Sequence, residues 1–206
     1  MGSIVLVTGG TRSGKSHFAE RLAARLGPRV VYLATAEVYD AEMETRVARH
    51  RERRPDSWVT IEAPRDLAAA LARLDRAVDV TLVECLAVWT SNRLLDLGDP
   101  ESDGWRTKVE ALDSALSAEI DGILARARDS AGSLVLVSAE VGYGVVPPTP
   151  LGRAFRDLLG GLNQRVAARA DAVFLIVAGV GLEVKGQAVA PEDWIPPSSA
   201  TDGQKR

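Results

Sequence analysis

A single cysteine, Cys85, excludes an internal disulfide, and a thiol left reduced suits the cytoplasm. Aromatic residues are scarce at 5%, few for the stacking platforms on which nucleic-acid motors hold a single strand. Basic charge is in deficit: 25 lysines and arginines stand against 28 acids, so the net charge of −3 supplies no field for a phosphate backbone and no nucleic-acid partner is expected. Long apolar runs are missing, which leaves no transmembrane segment to expect, and the chain enters a strand at once, which leaves no room for a signal peptide. No internal repeat is found. What is present is the composition of a globular chain, 46% hydrophobic and 26% charged over 206 residues. The expected organisation is one domain over residues 1–186, then an irregular tail over 187–206 that carries Pro191, Pro196 and Pro197.

The informative stretch lies near the start. Gly9-Gly10-Thr11-Arg12-Ser13-Gly14-Lys15-Ser16 fits G-x-x-x-x-G-K-[ST]. Before it, Ile4 to Thr8 is a short β-branched apolar run that reads as a buried strand. After it, Phe18, Leu22 and Leu26 recur every four residues beside Ala19 and Ala23, as on one helix face. Strand, glycine loop and helix start are the context a phosphate-binding loop requires. Glycines let several backbone N–H groups turn inward, and the helix adds its positive end. Lys15 can then reach the β- and γ-phosphates, the Ser16 hydroxyl can complete the coordination of Mg²⁺, and Arg12 and Ser13 are further donors. The plain alternative is a glycine-rich turn that binds nothing.

Further on, strand-like and helix-like segments alternate. Val30–Ala34, Trp58–Glu62, Val80–Val83, Ser133–Ser138 and Ala172–Ala178 read as strands, with a short one over Leu182–Lys185. Helices are expected from Pro64 through Leu67, Leu71 and Leu74, over Trp105–Arg128, and over Leu151–Ala168. Residues 89–104 read as a loop-bearing region with a helical turn near Asn92–Leu95. Such alternation predicts an α/β fold: a mostly parallel, RecA-like P-loop sheet with helices on both faces. Ligands then sit beyond the carboxyl ends of the strands, which singles out Thr35, Ala36, Glu62, Glu84 and Glu140. Glu84 could orient Mg²⁺ or its waters, or simply face solvent. Glu62 could hydrogen-bond a base or ribose. Cys85 reads as a small buried hydrophobe rather than a nucleophile, and His17 as an exposed helix residue.

Five arginines surround one histidine within residues 46–54: Arg46, Arg49, His50, Arg51, Arg53 and Arg54. Two readings stay open. Neighbouring guanidinium groups would disfavour an imidazolium, keep His50 neutral and nucleophilic, and clamp a triphosphate against it. Alternatively the segment, helical from about Asp40 with Met43 and Val47 at helical spacing, is a solvated face whose arginines pair with Glu42, Glu44 and Glu52.

These motifs together resemble one family. The phosphate loop, Tyr32-Leu33-Ala34-Thr35-Ala36, Asp40…Glu42-Met43, the Arg46–Pro55 segment and Trp58…Glu62 match it in order and spacing. So do Glu84-Cys85-Leu86…Trp89…Asn92, Glu140-Val141-Gly142-Tyr143-Gly144-Val145-Val146-Pro147, Phe155-Arg156-Asp157…Asn163-Gln164-Arg165 and Val177-Ala178-Gly179. The chain resembles the bifunctional adenosylcobinamide kinase / adenosylcobinamide-phosphate guanylyltransferases of cobalamin biosynthesis, over about residues 3–186. The resemblance implies phosphorylation of adenosylcobinamide by ATP or GTP. It then implies transfer of GMP from GTP to adenosylcobinamide phosphate through a guanylyl-histidine, at His50, with release of pyrophosphate.

It further implies a nucleotide site of Gly9, Gly10, Thr11, Arg12, Ser13, Gly14, Lys15 and Ser16, with Ala34, Thr35, Ala36, Arg51, Glu52, Arg53, Arg54, Glu62 and Glu84. His50 and Lys15 would do the chemistry, Ser16 and Glu84 would hold Mg²⁺, and the protein would be a homotrimer. Ala87 and Ala139 stand where the family often has Thr and Asn, so details of metal or corrinoid contact can differ. Two other classes fit the loop alone: a P-loop kinase of another small metabolite, and a non-enzymatic GTP-binding switch.

Overall fold

The computed structural model describes residues 2–37, 48, 51, 52, 54–75 and 77–189. Among them a seven-stranded sheet runs in the order β3-β2-β4-β5-β1-β6-β7. Its strands are β1 (Ile4–Gly9), β2 (Val30–Ala34), β3 (Val59–Glu62), β4 (Val80–Glu84), β5 (Ser133–Val137), β6 (Ala172–Val177) and β7 (Val180–Glu183). The helices are α1 (Lys15–Leu26), α2 (Leu67–Ala72), α3 (Leu86–Leu95), α4 (Trp105–Asp129) and α5 (Pro150–Arg169). Every strand pairing is parallel except β6 with β7. The fold is therefore the mostly parallel α/β P-loop architecture that the alternation predicts.

Central strands covered on both faces read as nearly continuous apolar runs, and β1 is buried throughout. Successive side chains go to opposite faces. Ile4 and Leu6 join the larger core with Trp89, Leu116, Ile120, Leu124 and Leu159, under α2 to α5. Val5 and Val7 join the smaller one with Ala19 and Ala23, under α1. A long α5 starts at Pro150, and the Thr149 hydroxyl caps it by accepting from the Gly152 amide at 3.1 Å.

Several expectations shift. In α1 the face against the sheet is made by Ala19 and Ala23, while Leu26 is 40% exposed. Small side chains let this helix sit close, and Phe18 packs sideways on Phe174 with ring centroids 5.0 Å apart. Helix α2 begins at Leu67, three residues after Pro64, and ends before Leu74. Residues 89–104 were expected to be mostly loop, yet α3 is a ten-residue helix that buries Leu86, Trp89, Thr90, Asn92 and Leu94. A helix buried nearly all round has no apolar stripe to read. The last strand is Val180–Glu183 rather than 182–185, because a two-residue turn at Ala178 and Gly179 brings β7 straight back along β6. Residue 187 lies in a turn and 188–189 have no regular structure, while 190–206 lie outside the described residues.

Candidate active site

The phosphate-binding loop takes its shape from backbone that only certain residues adopt. Gly9 has φ 155° and Gly14 φ 94°, and Arg12 occupies the left-handed region at φ 57°. A Cβ on Gly9 would come within 2.5 Å of the Ile176 carbonyl oxygen and 2.8 Å of Ser13 Oγ. The loop is tied by Ser13 N–H to the Gly10 carbonyl (3.2 Å), and Phe18 N–H to the Gly14 carbonyl (3.0 Å) opens α1. From outside, the β6–β7 turn braces it: Gly179 N–H donates to the Ser13 carbonyl at 2.7 Å. Lys15 Nζ lies back on the Gly10 carbonyl at 3.1 Å. Gly10, Thr11 and Arg12 are exposed, whereas Ser13, Gly14, Lys15 and Ser16 are half-buried.

One atom in this loop is anomalous. The Ser13 hydroxyl oxygen is buried and has no hydrogen-bond partner among the described residues. Buried hydroxyls are nearly always satisfied, and an orphan inside a turn of N–H donors fits an anion that is not part of the chain. Replacing Gly9 by Ala is expected to force the loop away from Ile176 at about 1–3 kcal/mol, weakening nucleotide binding about tenfold or more. Titration of the variant with GTP reads this directly, and unchanged affinity would mean the loop does not hold the phosphates.

The nominated acids lie in one row. Across β3, β2 and β4 the register sets Glu62 against Ala34 and Ala34 against Glu84. Strand β5 stands between β4 and β1, so Glu84 is two strands from the phosphate loop rather than beside it. Its carboxylate accepts from the Tyr32 hydroxyl at 3.2 Å. Burial, and next the Glu84 charge, push the Tyr32 phenol well above its ordinary pKa, so it stays a neutral donor.

Thr35 is fully buried and committed within the fold. Its hydroxyl accepts from Cys85 N–H (2.7 Å) and donates to the Cys85 carbonyl (3.0 Å), while its amide donates to the Glu84 carbonyl (3.0 Å). Asn92, from α3, donates to the carbonyls of Thr35 (2.9 Å) and Pro64 (3.0 Å). Together they fix the end of β4, and hence Glu84. Ala36 is half-buried next to Thr35. Cys85 packs against the smaller core, and burial, then Glu84, raise its thiol pKa, which keeps it a neutral apolar group.

Part of the arginine segment is described. Arg51 and Glu52 are helical and exposed. Arg51 pairs with the strand residue Glu62 at 2.9 Å. The Arg54 guanidinium carbon lies 3.3 Å from the Tyr32 ring centroid, and the group donates to Thr60 Oγ1 at 3.2 Å. Its Nε is buried with no hydrogen-bond partner among the described residues. Arg51 and Arg54 thereby reach β3 and β2, Arg54 over the tyrosine that touches Glu84. His50 and Arg53, with Met43, Val47, Glu42 and Glu44, lie outside the described residues. His17 is exposed on α1.

Sequence reasoning missed three contributors. Tyr32 carries a hydroxyl within an otherwise aliphatic strand, which was the available signal. Asn92 is a buried amide inside an apolar helix. Thr8 faces Glu140 across 132 positions, and its hydroxyl donates to Glu140 Oε1 at 2.8 Å. Nothing local could show that pair.

A mostly parallel sheet, a glycine loop leading into a helix, a lysine over that loop and an acid at the end of a strand two places away define a P-loop nucleoside-triphosphate-binding domain. The family model of cobinamide kinase / cobinamide phosphate guanyltransferase matches residues 5–184. The chain belongs to that family, and it is an enzyme of this class. It is 39% identical over 183 residues to the bifunctional adenosylcobalamin biosynthesis protein CobU of Escherichia coli (strain K12), covering 88% of this chain and 99% of that protein. It is 42% identical over 182 residues to the bifunctional adenosylcobalamin biosynthesis protein CobP of Pseudomonas aeruginosa, covering 88% and 97%. Among solved structures, an ATPase of a type III secretion system of pathogenic bacteria superposes with a TM-score of 0.53 at 14% identity, over 94% of this chain and 60% of that one. This last likeness is one of fold alone.

Proposed function

We propose that the chain carries out both family reactions. In the first, the hydroxyl oxygen on the aminopropanol arm of adenosylcobinamide attacks the γ-phosphorus of ATP or GTP, and the nucleoside diphosphate leaves. In the second, a His50 nitrogen attacks the α-phosphorus of GTP and expels pyrophosphate. A phosphate oxygen of adenosylcobinamide phosphate then displaces the histidine, giving adenosylcobinamide-GDP. The observation that carries this reading is the family match over residues 5–184 on a chain whose Gly9–Ser16 stretch folds as an anion cradle with an orphaned buried hydroxyl.

Within it, Gly9 to Ser16 hold the phosphates, with Ala34, Ala36, Arg51 to Arg54 and Glu62 completing the nucleotide site and buried Thr35 fixing the strand end behind it. Among the described residues no cluster of three His, Cys, Asp or Glu is arranged for a metal. That suits Mg²⁺, which keeps waters and phosphate oxygens as ligands and takes few from protein. Ser16 and Glu84 would hold it, where it neutralises charge on the phosphates. The reading treats residues 1–186 as one catalytic unit and places it in the cytoplasm. It also takes the protein to be a homotrimer, in which the His50 segment of one copy could approach a neighbour's site. Sedimentation at the monomer mass of 22.0 kDa would remove that last element.

The deciding experiment uses GTP labelled at the α-phosphate, with Mg²⁺. The wild-type protein is expected to gain an acid-labile, base-stable phosphoramidate that is absent from His50→Ala. A wild type that binds GTP and forms no adduct would leave the kinase of another metabolite as the better reading.

A further inference from the structure

Beneath the loop that follows β5 lies a cavity of about 320 Å³, lined by Thr8, Glu140, Gly142, Arg156, Asn163 and Gln164 among others. It is on the sheet face away from α1, since Thr8 alternates with Val7 and so shares the face of Leu6. It is also tied to the phosphate-binding loop. Glu140 N–H donates to the Gly9 carbonyl at 3.2 Å, and Glu140 Oε1 accepts from Thr8 Oγ1 at 2.8 Å. The acid therefore stands on the residues that immediately precede the phosphate cradle.

The lining divides into a frame and a set of free groups. Asn163 belongs to the frame: its Oδ1 accepts from Ser138 Oγ at 2.5 Å and its Nδ2 donates to the Ala139 carbonyl at 3.0 Å. Arg156 is braced by Asp157, with contacts of 2.9 and 2.8 Å. Glu140 Oε2 and the Gln164 amide have no hydrogen-bond partner among the described residues, so a carboxylate oxygen and an amide remain for a ligand. On its outer side the roofing loop exposes an apolar surface, with Tyr143 84%, Val145 95% and Val146 66% exposed. A pocket of this volume, with mostly apolar walls and a few polar groups at its edge, Gln164 among the exposed ones, fits one side arm, not a large molecule. The adjacent exposed apolar loop fits a broad, flat body that stays outside.

We infer that this is the acceptor site: the cavity takes a hydroxyl-bearing secondary amide arm of a corrinoid, whose macrocycle rests on the loop at Tyr143, Val145 and Val146. The inference deepens the proposed kinase step and rests on it. Glu140 is the proton acceptor in that step. As the arm's oxygen bonds to the γ-phosphorus, its proton passes to the Glu140 carboxylate and the bond from phosphorus to the β-phosphate oxygen breaks, releasing the nucleoside diphosphate. Gln164 orients the arm through its amide, and Arg156 meets the charge of the new phosphate.

The test compares wild type with Glu140→Gln and Val145→Asp, using cobinamide as acceptor. Glu140→Gln keeps an oxygen for the Thr8 hydroxyl, so the loop stays seated. Its kcat for phosphorylation is expected to fall about 10²–10⁴-fold with little change in cobinamide KM. Formation of the His50 adduct from α-labelled GTP should remain near the wild-type level. Val145→Asp is expected to raise the cobinamide KM about tenfold at unchanged nucleotide KM. A Glu140→Gln kcat within about threefold of wild type overturns the inference. So does loss of GTP binding in that variant, because Glu140 would then be a strut of the phosphate loop. An unchanged cobinamide KM in Val145→Asp overturns the placement of the macrocycle. A wild type that binds nucleotide and does not phosphorylate cobinamide would instead overturn the kinase reading on which the inference rests, and the inference with it.

Discussion

Replacing Lys15 by Ala is expected to lower nucleotide-dependent phosphorylation of cobinamide about 10²–10³-fold, equivalent to about 2.7–4 kcal/mol of transition-state stabilisation. Among the described residues the ammonium has one hydrogen-bond partner, the Gly10 carbonyl at 3.1 Å. A cation held over a turn of N–H groups adds little to folding in that position, since exposed polar contacts contribute tenths of a kcal/mol. Its place is explained by what enters the loop: negative charge on the β- and γ-phosphates, which shifts during transfer and which the lysine can follow. The Ala variant should therefore unfold at nearly the wild-type midpoint while turnover collapses. Steady-state kinetics beside a denaturation curve separate the two. Turnover within tenfold of wild type would mean that the triphosphate is not bound across this loop.

How far the sequence reveals this arrangement depends on the kind of interaction. The phosphate loop was legible because Gly9 and Gly14 are needed for backbone reasons, and a backbone need leaves a fixed spacing behind. The central strands were legible because a doubly covered parallel sheet calls for nearly continuous apolar runs, as in β1. Contacts between distant elements leave no such trace. Arg51 reaches Glu62 on β3 and Arg54 lies on Tyr32 of β2, contacts to other strands that spacing within the arginine segment cannot reveal. Chain order also hides that β5 inserts between β1 and β4, which puts Glu84 two strands from the loop. Thr35 shows a further limit. Its place at a strand end marks it as a ligand contact, yet its hydroxyl is spent on Cys85, holding β4's end in place. Residues of that kind support a site without facing it.

Helix α3, the element that pattern reading lost, carries the largest expected effect on stability. Trp89 is fully buried at its centre, and Trp89→Ala is expected to cost about 3–5 kcal/mol of the roughly 5–15 kcal/mol available to a domain. The indole N–H donates to the Arg65 carbonyl at 2.7 Å, and the Arg93 guanidinium lies 5.6 Å from its ring. Arg65 in turn pairs with Asp96 at 2.8 Å and with Glu37, while Arg93 holds Glu119 at 2.8 Å. Removing the ring leaves a cavity where these elements meet. Trp89→Phe keeps most of the packing and drops only the N–H. The Arg65 carbonyl still accepts from Arg93 at 3.3 Å, so that variant should cost nearer 1 kcal/mol. Guanidinium chloride titrations of both would show the order, and a cost for Trp89→Ala below about 1 kcal/mol would mean that α3 is not seated on the core. The consequence reaches the site through Asn92, one turn further along the same helix, which holds the Thr35 and Pro64 carbonyls. If α3 loosens, Thr35 loses its clamp and Glu84 its fixed height at the strand end. Trp89→Ala should thus weaken Mg²⁺-dependent GTP binding even at temperatures where it remains folded, while Trp89→Phe should not.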